Sequence, residues 1–297
     1  MLIVIALGGN ALLRPGERPE ASVQRANVRV AAAAVAELAR RHDVVVTHGN
    51  GPQIGWLALQ AEAVSRPDPL DVLGAESEAL IGYLIEQELA PLLPGREIAT
   101  LLTQVEVDPG DPAFAAPTKP IGPLYAEGAP AQARERGWSI AAVHGGFRRV
   151  VPSPEPRRIR ELGVIRRLAG AGVVVICAGG GGIPVAATAG GALRGVEAVV
   201  DKDLTAALLA SELGAGALLL LTDVAAVYAD WPSPAQRPLR RVTPRELRAH
   251  HFAPGSMGPK VEAACRFAER SGRPAAIGAL ADAVRVLAGE VGTLVSV

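Results

Sequence analysis

The chain has 297 residues, 49% of them hydrophobic and 20% charged, which is enough apolar material for a substantial core in one large or two small lobes. Its 30 basic and 30 acidic residues cancel to a formal net charge of zero, so the global electrostatics of a nucleic-acid binder are missing. Two cysteines, Cys177 and Cys265, stand in apolar or helical surroundings without metal-ligand spacing, and both are expected to be buried thiols of a cytoplasmic protein.

The opening apolar run, 2–7, lacks a basic n-region and is cut short by Gly8-Gly9, so it is expected to be a strand and not a secretion signal. Further strand-length apolar runs lie at 44–47, 98–103, 173–178, 217–222, 274–278 and 293–297. Helical patterns separate them at 22–41, 53–63, 76–89, 157–169, 204–213, 259–271 and 282–288. Strands apolar on both faces that alternate with helices predict a three-layer αβα sandwich with a mainly parallel central sheet. No stretch approaches 18 uninterrupted apolar residues, so no membrane span is expected. Residues 108–156 break the rhythm with nine prolines and weak periodicity. A segment this long with aromatic and aliphatic residues is expected to form an inserted, flap-like subdomain.

In open parallel sheets ligands bind beyond the carboxyl ends of the strands. There the sequence places "LGGN" (7–10), "THGNG" (47–51) and "CAGGGGIP" (177–184), and "DKD" (201–203) precedes a helical pattern. Glycine lets backbone amides approach an anion, and a helix N-terminus adds partial positive charge. Any one of these turns alone is equally consistent with a tight strand-to-helix connection. The chain has only three asparagines, however, and Asn10 and Asn50 sit inside these turns, where an amide can donate to an oxyanion. No GxxxxGK[ST] motif occurs, and no GxGxxG follows a strand, so neither common nucleotide-binding fingerprint is present.

The basic residues carry the sharpest signal. Of the 30, 27 are arginine and three are lysine: Lys119, Lys202 and Lys260. All three occupy Gly-, Pro- or Asp-rich junctions, whereas lysine ordinarily populates solvated helix faces. An ammonium is a compact point charge on a flexible stem and can follow a moving phosphoryl group. One close ammonium–phosphate contact is worth about 4 kcal/mol at an effective dielectric near 20. Two or three rival the roughly 8 kcal/mol behind a millionfold acceleration. Asp203 can cap the helix that follows, orient the lysine ammonium groups, or do both. His48 is expected to be structural, His42, His250 and His251 solvated, and His144 has no clear role. Arg148-Arg149 can grip an anion or form an exposed pair. No nucleophilic triad and no zinc-type cluster is supported, so no protein-held metal site is expected.

Taken in order, "ALGGNAL", "THGNGPQIG", "LTQVEVDPGDPAF", "PTKPIGP", "RRVVPSPEP", "GGGGIPV", "GVEAVVDKD" and "HFAPGSMGPK" resemble the carbamate kinases, within the wider amino acid kinase fold. "PTKPIGP" and "FAPGSMGPK" together are specific to that family. The resemblance implies reversible phosphoryl transfer from ATP to carbamate, giving ADP and carbamoyl phosphate, with Mg2+ and in a homodimer. It implies that Gly8, Gly9 and Asn10 hold the transferred phosphate, and Gly49, Asn50 and Gly51 the carbamate side. Lys119, Lys202, Asp203 and Lys260 would be catalytic. Gly180, Gly181, Thr222, Asp223, Val224, Tyr228 and Met257 would bind the nucleotide. One domain, 1–297, would divide into an acid-substrate lobe (1–107 and 157–170), the protruding subdomain (108–156) and a nucleotide lobe (171–297). Nucleic acid and membrane are not among the partners implied.

Two departures stand out. Glu76 and Glu78 fall where the family is expected to be less acidic, which bears on the dimer contact or the mouth of the acid site. Phe147 replaces a frequent Trp. A sister acid kinase is disfavoured by the "PTKPIGP" segment, and a non-catalytic nucleotide sensor by retention of all three lysines. The direction of flux, arginine breakdown or carbamoyl phosphate supply, is not encoded in these residues.

Overall fold

The computed structural model describes residues 1–9, 12–13, 17, 20–63, 68–126, 133, 135, 137–143, 145–252 and 257–297. In the first part of the chain the strands are β1 (Leu2–Leu7), β2 (Asp43–His48), β3 (Ile98–Thr100), β4 (Gln104–Glu106), β5 (Lys119–Tyr125), β6 (Ser139–Val143), β7 (Gly146–Val151) and β8 (Arg158–Ile159). The second part adds β9 (Val174–Ile176), β10 (Ile183–Ala187), β11 (Leu193–Gly195), β12 (Ala217–Thr222), β13 (Val227–Ala229), β14 (Arg237–Leu239), β15 (Arg241–Val242), β16 (Ala275–Ala279) and β17 (Thr293–Val295). The helices are α1 (Ala21–Ala39), α2 (Gly51–Ala63), α3 (Leu70–Leu89), α4 (Leu162–Gly170), α5 (Lys202–Leu213), α6 (Pro244–Arg248), α7 (Met257–Ser271) and α8 (Ala283–Leu287).

Alternation of side chains across each strand builds two cores from one sheet. In β1, Ile3, Ile5 and Leu7 join Val28, Val35, Ile81 and Ile85 of α1 and α3 on one side. Val4 and Ala6 join Ile165, Leu209 and Phe267 of α4, α5 and α7 on the other. The sheet between these layers runs β15-β17-β16-β12-β1-β2-β9-β3. Its pairs are parallel except β16 with β17, so the sandwich expected from the sequence is the one observed, with a mixed edge.

The helix expected at 76–89 begins six residues earlier, at Leu70, and at two places a strand pairing breaks up what reads as one element in the sequence. The apolar run 98–103 is not a single strand: β3 ends at Thr100, and β4 pairs in a separate four-stranded sheet ordered β11-β10-β4-β8. The helical pattern at 157–169 likewise opens with β8, which pairs antiparallel with β4, and α4 begins only at Leu162. In both places a long-range pairing partner overrides the local pattern.

Within 108–156, β5, β7 and β6 form their own antiparallel three-stranded sheet. It docks on α2 where Gly55 meets Gly122: a Cβ on Gly55 would lie 2.3 Å from the Gly122 Cα. Arg148 donates to the Gly122 carbonyl from its Nε at 3.0 Å. The Arg149 guanidinium stacks 4.4 Å from the centre of the Trp138 ring. The two arginines therefore brace this small sheet. Cys177 and Cys265 are buried free thiols, as expected from the sequence.

Candidate active site

Strands β1, β2, β9 and β12 are parallel neighbours, so the residues after each of them gather along one edge of the sheet. A cavity of about 270 Å³ opens there. Gly8 and Gly9, Gly49 to Gly51, Gly180 and Thr222 to Val224 line it from the four strand ends. Lys119 enters from β5, Lys202 and Asp203 from the first turn of α5, and Met257 and Lys260 from the first turn of α7. The structure thus brings all three lysines to one cavity. Asn10 and His144 lie outside the described residues. Gly181 and Tyr228 are off the cavity: Gly181 packs against the Val200 carbonyl, and the Tyr228 ring sits 5.7 Å from that of Trp231.

The charges are arranged in two sets. The Lys202 ammonium donates to Asp203 Oδ1 at 2.6 Å, and the Lys260 ammonium to Asp203 Oδ2 at 3.1 Å. Burial alone would raise the Asp203 carboxyl, but the two ammonium charges outweigh it and hold Asp203 well below the ordinary carboxylate range. Burial in turn draws Lys202 down from its usual value, against the pull of Asp203. The second set is Lys119 and Asp201, with Nζ donating to Oδ2 at 2.6 Å. The sequence reading marked the triplet "DKD" but gave Asp201 no role of its own.

Asp201 and not Asp203 caps α5, which starts at Lys202 and not at Leu204. Its Oδ1 accepts from the Asp203 amide at 2.9 Å and the Leu204 amide at 3.3 Å. An extended residue at φ −76° and ψ 122° is the usual geometry for an N-cap, whereas Asp203 already lies inside the helix. The helix stops at Gly214, in the left-handed region at φ 68°.

Beneath the lysines the glycine-rich turn is seated on buried polar groups. Gly180 has φ 66°, and a Cβ there would fall 2.0 Å from the Asn50 amide nitrogen. That amide donates to the Ser77 hydroxyl at 2.8 Å, which fixes Asn50 beside the turn. His48 is fully buried, with Nδ1 3.2 Å from the Gly49 carbonyl, so its proton sits on Nδ1. Burial first, and the Lys202 charge in addition, lower His48 to about 4, and it serves as a neutral strut. Glu78, one of the two unexpected acids, lies 1% exposed under the turn, away from any surface or mouth. Its two carboxyl oxygens accept from the Gly179 amide at 2.8 Å and the Thr103 amide at 3.2 Å. Glu76 is exposed on α3.

A parallel sheet whose strand ends present glycine turns and clustered lysines defines an α/β protein built to hold a multiply charged anion. The amino acid kinase family matches residues 1–279. Carbamate kinase of Rhizobium meliloti is 52% identical over 302 residues, covering 100% of this chain and 93% of that protein. Carbamate kinase of Haemophilus influenzae is 51% identical, covering 100% and 97%. Carbamate kinase from Giardia lamblia bound to AMP-PNP superposes with a TM-score of 0.90 at 40% identity, covering 99% of this chain and 98% of that one. The chain belongs to the amino acid kinase family and, within it, to the carbamate kinases.

Proposed function

We propose that the protein transfers the γ-phosphoryl group of ATP to carbamate, reversibly, giving carbamoyl phosphate and ADP. The observation that carries the reading is the convergence of the chain's three lysines, with Asp201 and Asp203, on the cavity at the strand ends. Lys202 and Lys260 sit where they can neutralise charge on the phosphoryl group in flight, and Asp203 keeps both ammonium groups aimed. Lys119 approaches from the opposite, acid-substrate side. Gly9, Asn50 and Gly51 line the cavity on the phosphate and carbamate side, while the Gly8 and Gly49 amides are committed to the Leu221 and Leu7 carbonyls and shape the turns. Thr222 to Val224 and Met257 line the cavity on the side read here as the nucleotide's. In the forward direction a carbamate oxygen forms the new P–O bond as the bond to the ADP oxygen breaks.

Among the described residues no three His, Cys, Asp or Glu side chains form a cage, and Asp203 is committed to two ammonium groups. That donor set fits Mg2+ carried on the nucleotide phosphates, where it supplies charge neutralisation. The division into an acid lobe, a protruding subdomain and a nucleotide lobe follows the same reading. A homodimer is supported by exposed apolar residues on α2 and α3, namely Trp56, Val72, Leu80 and Tyr83. No described helix is long and apolar enough to cross a membrane, which is compatible with a cytoplasmic enzyme. ATP formation from ADP, Mg2+ and carbamoyl phosphate, set beside acetyl phosphate, tests the proposal. Fast turnover selective for carbamoyl phosphate is expected. An ADP-binding protein silent with that substrate refutes it.

A further inference from the structure

We propose that Asp201 is a positioning residue: one carboxylate both starts helix α5 and holds the Lys119 ammonium over the cavity, so a single side chain sets the base of the three-stranded sheet against the phosphate-facing helix end. This deepens the phosphoryl-transfer reading above and rests on it for its catalytic consequence.

The two oxygens of Asp201 do different things. Oδ1 takes the Asp203 and Leu204 amides, and Oδ2 takes Lys119 Nζ at 2.6 Å. Its side chain is 12% exposed and that of Lys119 28%, so the pair is largely shielded from solvent. The backbone around Asp201 is held on two further sides. The Val199 amide donates to the Pro152 carbonyl at 3.0 Å, where the chain leaves the small sheet. The Val200 carbonyl fills the space a side chain would need at Gly181. Lys119 is the first residue of β5 and pairs with Val151 of β7. Segment 199–201 therefore grips the small sheet where the chain enters it, through the ion pair, and where it leaves, through the backbone.

Helix capping alone does not require aspartate at this position. Asn or Ser caps a helix about as well. What only a carboxylate supplies is a second anionic oxygen for the ammonium. A lysine stem is long and flexible, and without an acceptor its Nζ has no defined place over the cavity. In Asp201→Asn the single amide oxygen remains for the cap, and the NH2 group faces Lys119 as a second donor. The substitution thus separates the two roles, and Asp201→Ser separates them again with a shorter side chain.

Because the chain has only three lysines, protein labelled with 13C at lysine Cε gives three side-chain signals, assignable by single Lys→Met replacements. Asp201→Asn is expected to move the Lys119 signal most and to leave that of Lys260 in place. The same variants are assayed for ATP formation from carbamoyl phosphate and ADP, for ADP affinity by calorimetry, and for the thermal midpoint. Asp201→Asn and Asp201→Ser are expected to lower kcat/KM for carbamoyl phosphate by about 10- to 100-fold, with ADP affinity kept within about twofold. In a Lys119→Met background, adding Asp201→Asn should change kcat/KM by less than about threefold, because the group it positions is gone. An unmoved Lys119 signal overturns the proposal, as does an equal loss with and without Lys119, or a loss that follows the thermal midpoint. If the wild type makes no ATP, the reaction reading fails, and the Lys119 signal still decides the role of Asp201.

Discussion

Replacing Glu78 by Gln tests whether a buried carboxyl under the glycine-rich turn keeps its proton at neutral pH. Both Glu78 oxygens accept backbone amides, which favours the ionised form, yet burial outweighs them and pushes the group from 4.5 up to about 8. The titratable groups around it are His48, Cys177 and Glu161, and Glu161 adds to the upward push. Between pH 4.5 and about 8 the folded protein holds a proton that the unfolded chain has released. Stability from this group is therefore full below pH 4.5 and is lost as pH rises through about 8, at up to about 1.4 kcal/mol per pH unit. The whole interval gives an upper bound of about 5 kcal/mol. His48, held down to about 4, works the other way: its contribution grows as pH rises from about 4 to 6.5. It is common to both proteins and cancels in their difference. Gln is isosteric with the protonated acid and cannot titrate. Urea unfolding of wild type and Glu78→Gln from pH 5 to 8.5 should show the variant gaining about 3 to 4 kcal/mol relative to wild type across that range. Two curves that stay parallel within about 1 kcal/mol would refute a proton held at Glu78.

Three further outcomes follow from the same geometry. Lys202→Arg keeps the charge but replaces a compact ammonium buried against Asp203 with a planar fork, and kcat is expected to fall at least about a hundredfold; turnover near the wild-type rate would count against the lysine argument. Gly180→Ala places a Cβ in the left-handed region and onto the Asn50 amide, so it should lower both the thermal midpoint and kcat/KM, by about tenfold or more for the latter. Phe267→Ala empties the fully buried site behind α7, the helix that carries Lys260, and should cost about 3 to 5 kcal/mol in chemical denaturation.

The layered fold was legible because β1, β2 and β12 are continuous apolar runs separated by helical patterns, and such runs need cover on both faces. The lysines were legible for a compositional reason: in a chain that uses arginine almost everywhere, three lysines at Gly-, Pro- and Asp-rich junctions stand apart. The second sheet was not legible. Strands of two or three residues such as β4 and β8 have too few side chains to show a period, and only their pairing makes them strands.

The sequence by itself determined the sandwich and the order of its main strands and helices, and it singled out the three lysines that meet at the cavity, since these depend on local periodicity and residue composition. Only the tertiary structure decided which aspartate serves which lysine. "DKD" offers two carboxylates one residue apart. The start of α5 at Lys202 turns Asp201 to the helix amides and Lys119, and Asp203 to Lys202 and Lys260. The same holds for Glu78. A glutamate in a helical pattern reads as a surface charge until the chain returns 101 residues later with the Gly179 amide and takes it out of water.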